Sequence, residues 1–471
     1  MPAGDDRPPL KPSDMTKRRY ERPTIQKLNA GLMNKFGTRT DYEPVTHIDG
    51  VAVSELLSRH GSPLFVLSER TIRRLYREAH TAFTTRYPRV QFAWSYKTNY
   101  LNAVCRIFHQ EGAWAEVVSG FEYAKALGNG VPGDRILFNG PEKSMADLEA
   151  AIRNDSLIHI DHFDEIRQLT EACERTGGRP RVAIRVNMDT GIHPRWDRFG
   201  FNFENGEARE ALERILATGR MRVTGLHCHI GTFMLTTEPY RTAVRKLREL
   251  AAWLHRNHDV EVAYIDMGGG FPSRNTLRGS FLPGADSVPG VDDFAEAICS
   301  EMLEPMSHGP ATPLLVLETG RALIDEAGWL LGTVVAEKRL SDGRRANIMD
   351  FGVNLLFTAN WYEHRITPAQ PFTHHTESAV LYGPLCMNID VVRHQAELPL
   401  LQRGDQVVVH HVGAYNMTQW MQFIHMRPRV VMIDGRSNVH VIREAEDISY
   451  LEQLERIPDH LPPGLARPPQ T

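Results

Sequence analysis

Residues 92–101 read FAWSYKTNYL. Phe92, Trp94 and Tyr96 alternate as a buried strand does, and the strand exits onto Lys97. Lysine is seldom buried without a partner. A lysine at the mouth of an apolar strand is therefore either a surface residue opening a loop or an amine held in a cleft to form an imine. Three other stretches suit the second chemistry. GLHCHIGT sets His227 and His229 two residues apart, on one face of a strand. IDMGGGFP carries Gly268, Gly269 and Gly270, whose bare backbone lets N–H groups approach an anion closely. LETGRA carries Glu318 and Arg321, and the guanidinium can clamp the same anion through two hydrogen bonds, with Thr232 adding a hydroxyl.

These residues need a common frame, and the surrounding pattern supplies one. Eight short apolar runs alternate with stretches of helical period: residues 90–96, 114–119, 135–140, 157–161, 181–187, 222–230, 262–267 and 313–318. Plausible helices lie between them, at 70–87, 163–176 and 237–258 among others. Alternation of this kind means parallel pairing, and eight units suggest a closed (β/α)8 TIM barrel. In such a barrel the chemistry sits at the C-terminal strand ends. Lys97 follows the first run, His227 and His229 end the sixth, the glycines follow the seventh, and Glu318 and Arg321 end the eighth. All four features fall on one rim.

After residue 323 the runs at 329–339, 346–352, 377–383, 405–415 and 428–435 have turn residues between them and little helical period. They predict a mostly antiparallel β domain. The expected organisation is an N-terminal extension over 1–45, partly disordered and with a short helix near 24–37. The barrel is expected over 61–322, the β domain over 46–60 and 323–457, and a disordered tail over 458–471. A chain of 471 residues exceeds one ordinary core. Its 42% apolar and 24% charged residues are those of a soluble globular protein, and a formal net charge of -4 points to neither nucleic acid nor membrane. Five scattered cysteines without a CxxC pair, no apolar stretch of membrane-spanning length and no apolar N-terminal core predict a cytoplasmic protein.

A phosphate cradle beside an imine-forming lysine, a carboxylate and a flat imidazole suggests pyridoxal 5'-phosphate. The HxH pair also suits zinc, but a third ligand is wanting and no HExxH-like partner is present, so no metal is expected. His227 reads as core and His229 as a ring stacked on the cofactor.

The motifs, in order, resemble the fold-type III, pyridoxal-phosphate-dependent decarboxylases, especially the diaminopimelate and ornithine decarboxylase group. SYKTN (95–99) stands at the family's lysine motif, followed by EVVSGFE (116–122), LFNGPEKS (137–144), RFGF (198–201), HIGT (229–232), GGGF (268–271), ETGR (318–321), GPLC (383–386) and GAY (413–415). The resemblance implies an alanine racemase-like barrel with a β domain. It implies that Lys97 forms the internal aldimine and His229 stacks on the ring. Thr232, Gly268, Gly269, Gly270, Gly320, Arg321 and Tyr415 would hold the cofactor, with Glu318 at the ring nitrogen. It further implies a head-to-tail homodimer in which Cys386 enters the neighbour's site and reprotonates the carbanion, the partner being a small-molecule amino-acid substrate.

The chain also departs from the family. A gapless match of DFGVNLLFTANWY (350–362) retains Tyr362 but puts Thr358 where diaminopimelate decarboxylases carry a substrate-binding arginine. CMNID (386–390) puts Met387 in place of the acid after the cysteine and keeps Asp390. The expected substrate pocket therefore comprises Thr358, Tyr362, Met387 and Asp390. Its substrate is expected to be neither diaminopimelate nor simply ornithine, but an amino acid or conjugate with a larger or less charged distal part. The alternative is that Lys17, Arg18 and Arg19 of the extension supply the missing charge. A racemase of the same fold is disfavoured by Glu318 and Cys386. A non-catalytic, partner-binding relative is disfavoured because the lysine and the phosphate ligands are all retained.

Overall fold

In the computed structural model, residues 43–192, 196–280, 282–305, 312–373, 376–461 and 464 are described. The extension's expected helix and basic cluster, and most of the expected tail, lie outside them. All eight expected barrel strands form: Val90–Ser95, Trp114–Val117, Ile136–Phe138, Leu157–Ile160, Arg181–Asn187, Arg222–His227, Tyr264–Asp266 and Leu314–Leu317. Each pairs in parallel with the next, and the eighth returns to the first, which closes the barrel. The connecting helices pack their apolar stripes outside. In Glu238–His258, Tyr240, Ala243, Val244, Leu247, Leu250, Ala251 and Leu254 recur at three- and four-residue spacing and are buried. Pro239 starts this helix without wasting an N–H, and Asp259 ends it in the left-handed region.

Inside, the end of the barrel away from the rim is plugged by small and apolar side chains around one ring. Ala93, Leu137, Leu157, Ala183 and Val316 pack about Tyr264. Gly225 makes room for that ring, since a Cβ there would stand 2.2 Å from Tyr264 Cζ.

The second sheet is mixed but mostly antiparallel. Its long strand Gly328–Arg339 pairs antiparallel with Leu64–Ser68, Arg345–Met349 and Gln406–His410. Thr376–Tyr382 joins Arg345–Met349 in parallel, and Val430–Ile433 joins Leu64–Ser68 in parallel. Three strands of this domain were not expected from sequence: Ile366–Pro368, Val391–Pro399 and Val439–Arg443.

One boundary is corrected. Leu64–Ser68 falls within the expected barrel segment but is a wholly buried strand of the second sheet. Its apolar run reads like a barrel strand, and its partners lie far away in sequence. The barrel region begins instead at the helix Glu69–Thr84, which Ser68 caps by accepting from Thr71 N–H.

Candidate active site

The rim opens into a cavity of about 700 Å³ lined from both domains. Lys97 stands in a tight turn, Tyr96–Thr98, directly after the first barrel strand. The β domain fixes that turn: Tyr415 N–H donates to Thr98 O at 2.8 Å and the Thr418 hydroxyl donates to Lys97 O at 3.0 Å. The Lys97 side chain points into the cavity, and its Nζ donates to both Glu116 oxygens at 2.6 Å. Burial pulls the amine's pKa down, but the Glu116 carboxylate, with Glu318 behind it, more than offsets this and holds the pKa above its usual value.

His229 is fixed by the glycine loop, whose Gly269 N–H donates to Nδ1 at 3.1 Å. Burial, then the nearby Arg185 and Lys97 charges, hold the imidazole neutral, its pKa well below the ordinary one. A neutral ring with one nitrogen occupied suits a flat stacking partner. Gly268 and Gly270 both adopt positive φ, +65° and +98°. A Cβ on them would stand 2.5 Å from Cys228 O and Gly231 O respectively, so the loop demands glycine twice over.

Arg321 completes the cradle. Its Nη2 donates to the Thr232 hydroxyl at 3.3 Å, while Nη1 is buried without a protein partner. Phe233, Trp361, Tyr362 and Tyr415 surround the guanidinium, with ring centroids 4.7–5.6 Å away. An orphaned guanidinium N–H beside a glycine cradle fits a phosphate, and Lys97 on the same cavity fits the aldehyde of pyridoxal phosphate.

Glu318 ends the eighth strand and accepts from Asn139 Nδ2 at 2.5 Å, the same amide that reaches Glu116 at 3.1 Å. Burial first, then the neighbouring Asp266 and Glu116 carboxylates, push Glu318 well above the usual carboxylate range.

Of the expected residues, Lys97, His229, Thr232, Gly270, Glu318, Gly320, Arg321, Tyr362 and Tyr415 line the cavity, with Gly268 and Gly269 in the loop that carries it. Four expected residues do not. Thr358 is buried, its hydroxyl bonded to Asn416 Oδ1 and His364 Nε2, each at 2.8 Å. The turn Phe357–Asn360 tucks it inward and presents Trp361 to the cavity instead. Asp390 is a buried knot for its loop, accepting from Val353 N–H and Leu385 N–H at 2.8 Å each. It shapes the GPLC turn and does not face the cavity. That turn leaves Cys386 exposed and Met387 half-buried, both outside the cavity.

Sequence reasoning missed Glu116, Asn139 and Arg185, which sit on strands or just past them, and the rings of Trp196, Phe233 and Trp361. Glu116 alone carried a signal, as a carboxylate inside an otherwise apolar run.

Residues 70–325 match the model of the family described as pyridoxal-dependent decarboxylase, pyridoxal binding domain. The diaminopimelate decarboxylase of Methanothermobacter thermautotrophicus is 30% identical over 427 residues, 88% of this chain and 96% of the relative. A crystal structure of diaminopimelate decarboxylase from M. jannaschii, in complex with L-lysine, superimposes with a TM-score of 0.81 at 28% identity, covering 88% of this chain and 96% of that one. A lysine/ornithine decarboxylase from Vibrio vulnificus, at 22% identity and a TM-score of 0.69, shares the fold and covers 82% of this chain and 98% of its own. Lys97, the glycine loop with Arg321 beside it, and the Glu318 carboxyl thus stand on the fold these enzymes use, and the chain belongs to the fold-type III, pyridoxal-phosphate-dependent amino-acid decarboxylases.

Proposed function

We propose that the protein decarboxylates an α-amino acid, or a conjugate of one, whose distal part is bulky and uncharged, and that diaminopimelate is not its substrate. The carrying observation is the cavity wall. Past Lys97 and Glu318 it is built from Trp196, Phe233, Leu277, Trp361 and Tyr362. The cations that line it are paired or, in the case of Arg321, assigned to the cofactor's phosphate. Lys97 pairs with Glu116, Arg321 meets Thr232 among aromatic rings, and Arg185 lies 3.7 Å from Asp161 and 4.4 Å from the Phe199 ring centroid.

Bound pyridoxal phosphate supplies the electron sink on which the Cα–carboxylate bond breaks. The chain's own residues do the rest. Arg321, Thr232, Tyr415 and the Gly268–Gly270 loop hold the phosphate. His229 would stack on the ring and Glu318 would pair with its nitrogen. Lys97 would hold the cofactor through Nζ. Trp361 and Phe233 orient the substrate's side chain and exclude water from it.

Exposure of Cys386 outside its own cavity supports a head-to-tail homodimer in which this thiol serves the neighbour's site as the proton donor. A glutamate at the ring nitrogen, in place of a racemase's arginine, favours decarboxylation over racemisation. Five unpaired cysteines support a cytoplasmic setting, and among the described residues no helix is long and apolar enough to cross a membrane.

The test is carbon dioxide release by the pyridoxal-phosphate-loaded protein. The panel holds L- and D-amino acids, including diaminopimelate, lysine, ornithine, aromatic amino acids and lysines acylated at the distal amine. Release from a bulky, uncharged member is expected. Diaminopimelate as the best substrate would overturn the specificity, and racemisation without carbon dioxide would overturn the reaction.

A further inference from the structure

Behind Glu318, the barrel interior holds a column of titratable groups that substrate handling does not use. Asp266 on the seventh strand is fully buried, and its Oδ1 accepts from Gly268 N–H at 2.8 Å. Its other oxygen lies 3.5 Å from His227 Nδ1 and 4.0 Å from His159 Nδ1. His227 Nδ1 also lies 3.8 Å from Glu318 Oε1, so one ring nitrogen faces both carboxyl groups. His159 Nε2 meets the Tyr264 hydroxyl at 2.9 Å, which closes the column against the barrel plug. Asp266 Oδ2 and both Nδ1 atoms are buried without conventional hydrogen-bond partners.

We propose that Asp266 is a positioning residue that forms a buried acid pair with Glu318, raising the proton affinity of the site facing the cofactor's ring nitrogen, and that His227 counterbalances the pair. The inference rests on Glu318 facing that nitrogen. Carboxyl oxygens of Asp266 and Glu318 lie within 4.8 Å of each other and of a nitrogen on each of His159 and His227, with all four side chains buried. Buried like charges at such range cannot both be free of a proton or a cation at low cost, so the pair binds a proton more tightly than one carboxyl would. Burial raises Asp266 above the usual range, in keeping with this.

The other titratable or charged groups near Glu318 are Lys97, Glu116, Arg185, His159, His227, Cys228 and Tyr264. Lys97 and Glu116 largely cancel as an ion pair, as do Arg185 and Asp161 at 3.7 Å. Asp266 is thus the unneutralised charge beside Glu318. The neutral His227 ring, which burial holds well below its ordinary pKa, offers a dipole to both acids.

The test uses holoprotein loaded with pyridoxal phosphate labelled with 15N in the ring, its nitrogen shift followed by NMR against pH. Asp266→Asn keeps the acceptor for Gly268 N–H and removes the charge. It is expected to lower the midpoint for ring-nitrogen deprotonation by one pH unit or more, a tenfold loss of proton affinity, at unchanged cofactor content. His227→Gln is expected to raise that midpoint, a sign opposite to any shared loss of structure. Curves for Asp266→Asn that superimpose on the parent's would overturn the proposal. If that variant fails to fold, an unmoved or lowered midpoint in His227→Gln would do so instead. A stoichiometric divalent ion in the purified protein, lost in Asp266→Asn, would also overturn it by assigning the column to a metal. Glu318→Gln separates the underlying reading: an unchanged ring-nitrogen shift there would show that Glu318 does not face the ring at all.

Discussion

The Lys97 ammonium lies 2.6 Å from both carboxylate oxygens of Glu116, a side chain with no solvent exposure. An amine must shed its proton to form an imine, so this pair sets the pH at which the lysine can act. Glu116→Gln removes the charge that raises Lys97 and leaves burial's downward pull. The pH midpoint for cofactor capture by the apoprotein is expected to fall by one unit or more, about 1.4 kcal/mol per unit. Stopped-flow absorbance across pH checks this, and an unmoved midpoint would refute it.

Arg321 offers a buried guanidinium N–H with no protein partner. A charge-assisted hydrogen bond to phosphate is worth roughly 1.5–3 kcal/mol. Arg321→Met is therefore expected to weaken pyridoxal phosphate binding about 10- to 100-fold. Binding of pyridoxal, which has no phosphate, should change little. Equal losses for both ligands would place Arg321 away from the phosphate.

Glu122 accepts from Val118 N–H at 2.8 Å and is pushed up to about 7, by burial first, with Glu116 nearby adding to it. Its folded pKa exceeds its unfolded one. The folded state therefore binds the extra proton between the two values, and stability falls as pH rises through that window. Glu122→Gln removes the penalty. The variant is expected to gain on the parent in urea denaturation at pH 8, with most of that gain gone by pH 5. A gain that is equal at both pH values would contradict the assignment.

Thr358 stabilises the turn beneath Trp361 through Asn416 and His364. Thr358→Val should cost roughly 1–3 kcal/mol of stability by stranding buried polar partners. The order of preference among amino-acid substrates should stay the same. A changed order with unchanged stability would return Thr358 to the substrate pocket.

The barrel and its rim were legible because strand–helix alternation repeats locally and Lys97 breaks an apolar pattern at a strand end. The interior column was not. His159 and Asp266 sit within short apolar strands, where period-two alternation gives only the face, and the register of strands four to seven around the barrel decides what meets. Thr358 misled for a similar reason. A gapless match fixes position along the chain, whereas the turn Phe357–Asn360 decides which side chain points inward. Asp390 was expected in the substrate pocket, whereas its hydrogen bonds to Val353 and Leu385 tie it to the shape of its loop.

The strand Leu64–Ser68 is synthesised early and paired late. Its neighbours in the second sheet begin at Gly328 and Val430, so the ribosome adds the 259 residues from 69 to 327 before the first of them starts. At roughly 5–20 residues per second that delay is on the order of ten seconds or more. Throughout it, LFVLS is an unpaired apolar strand with both edges open, a template for intermolecular pairing. The barrel inserted behind it can fold during that interval, whereas the strand waits for the far end of the chain. The yield of soluble protein in a cell thus depends on how well that one segment is shielded during translation.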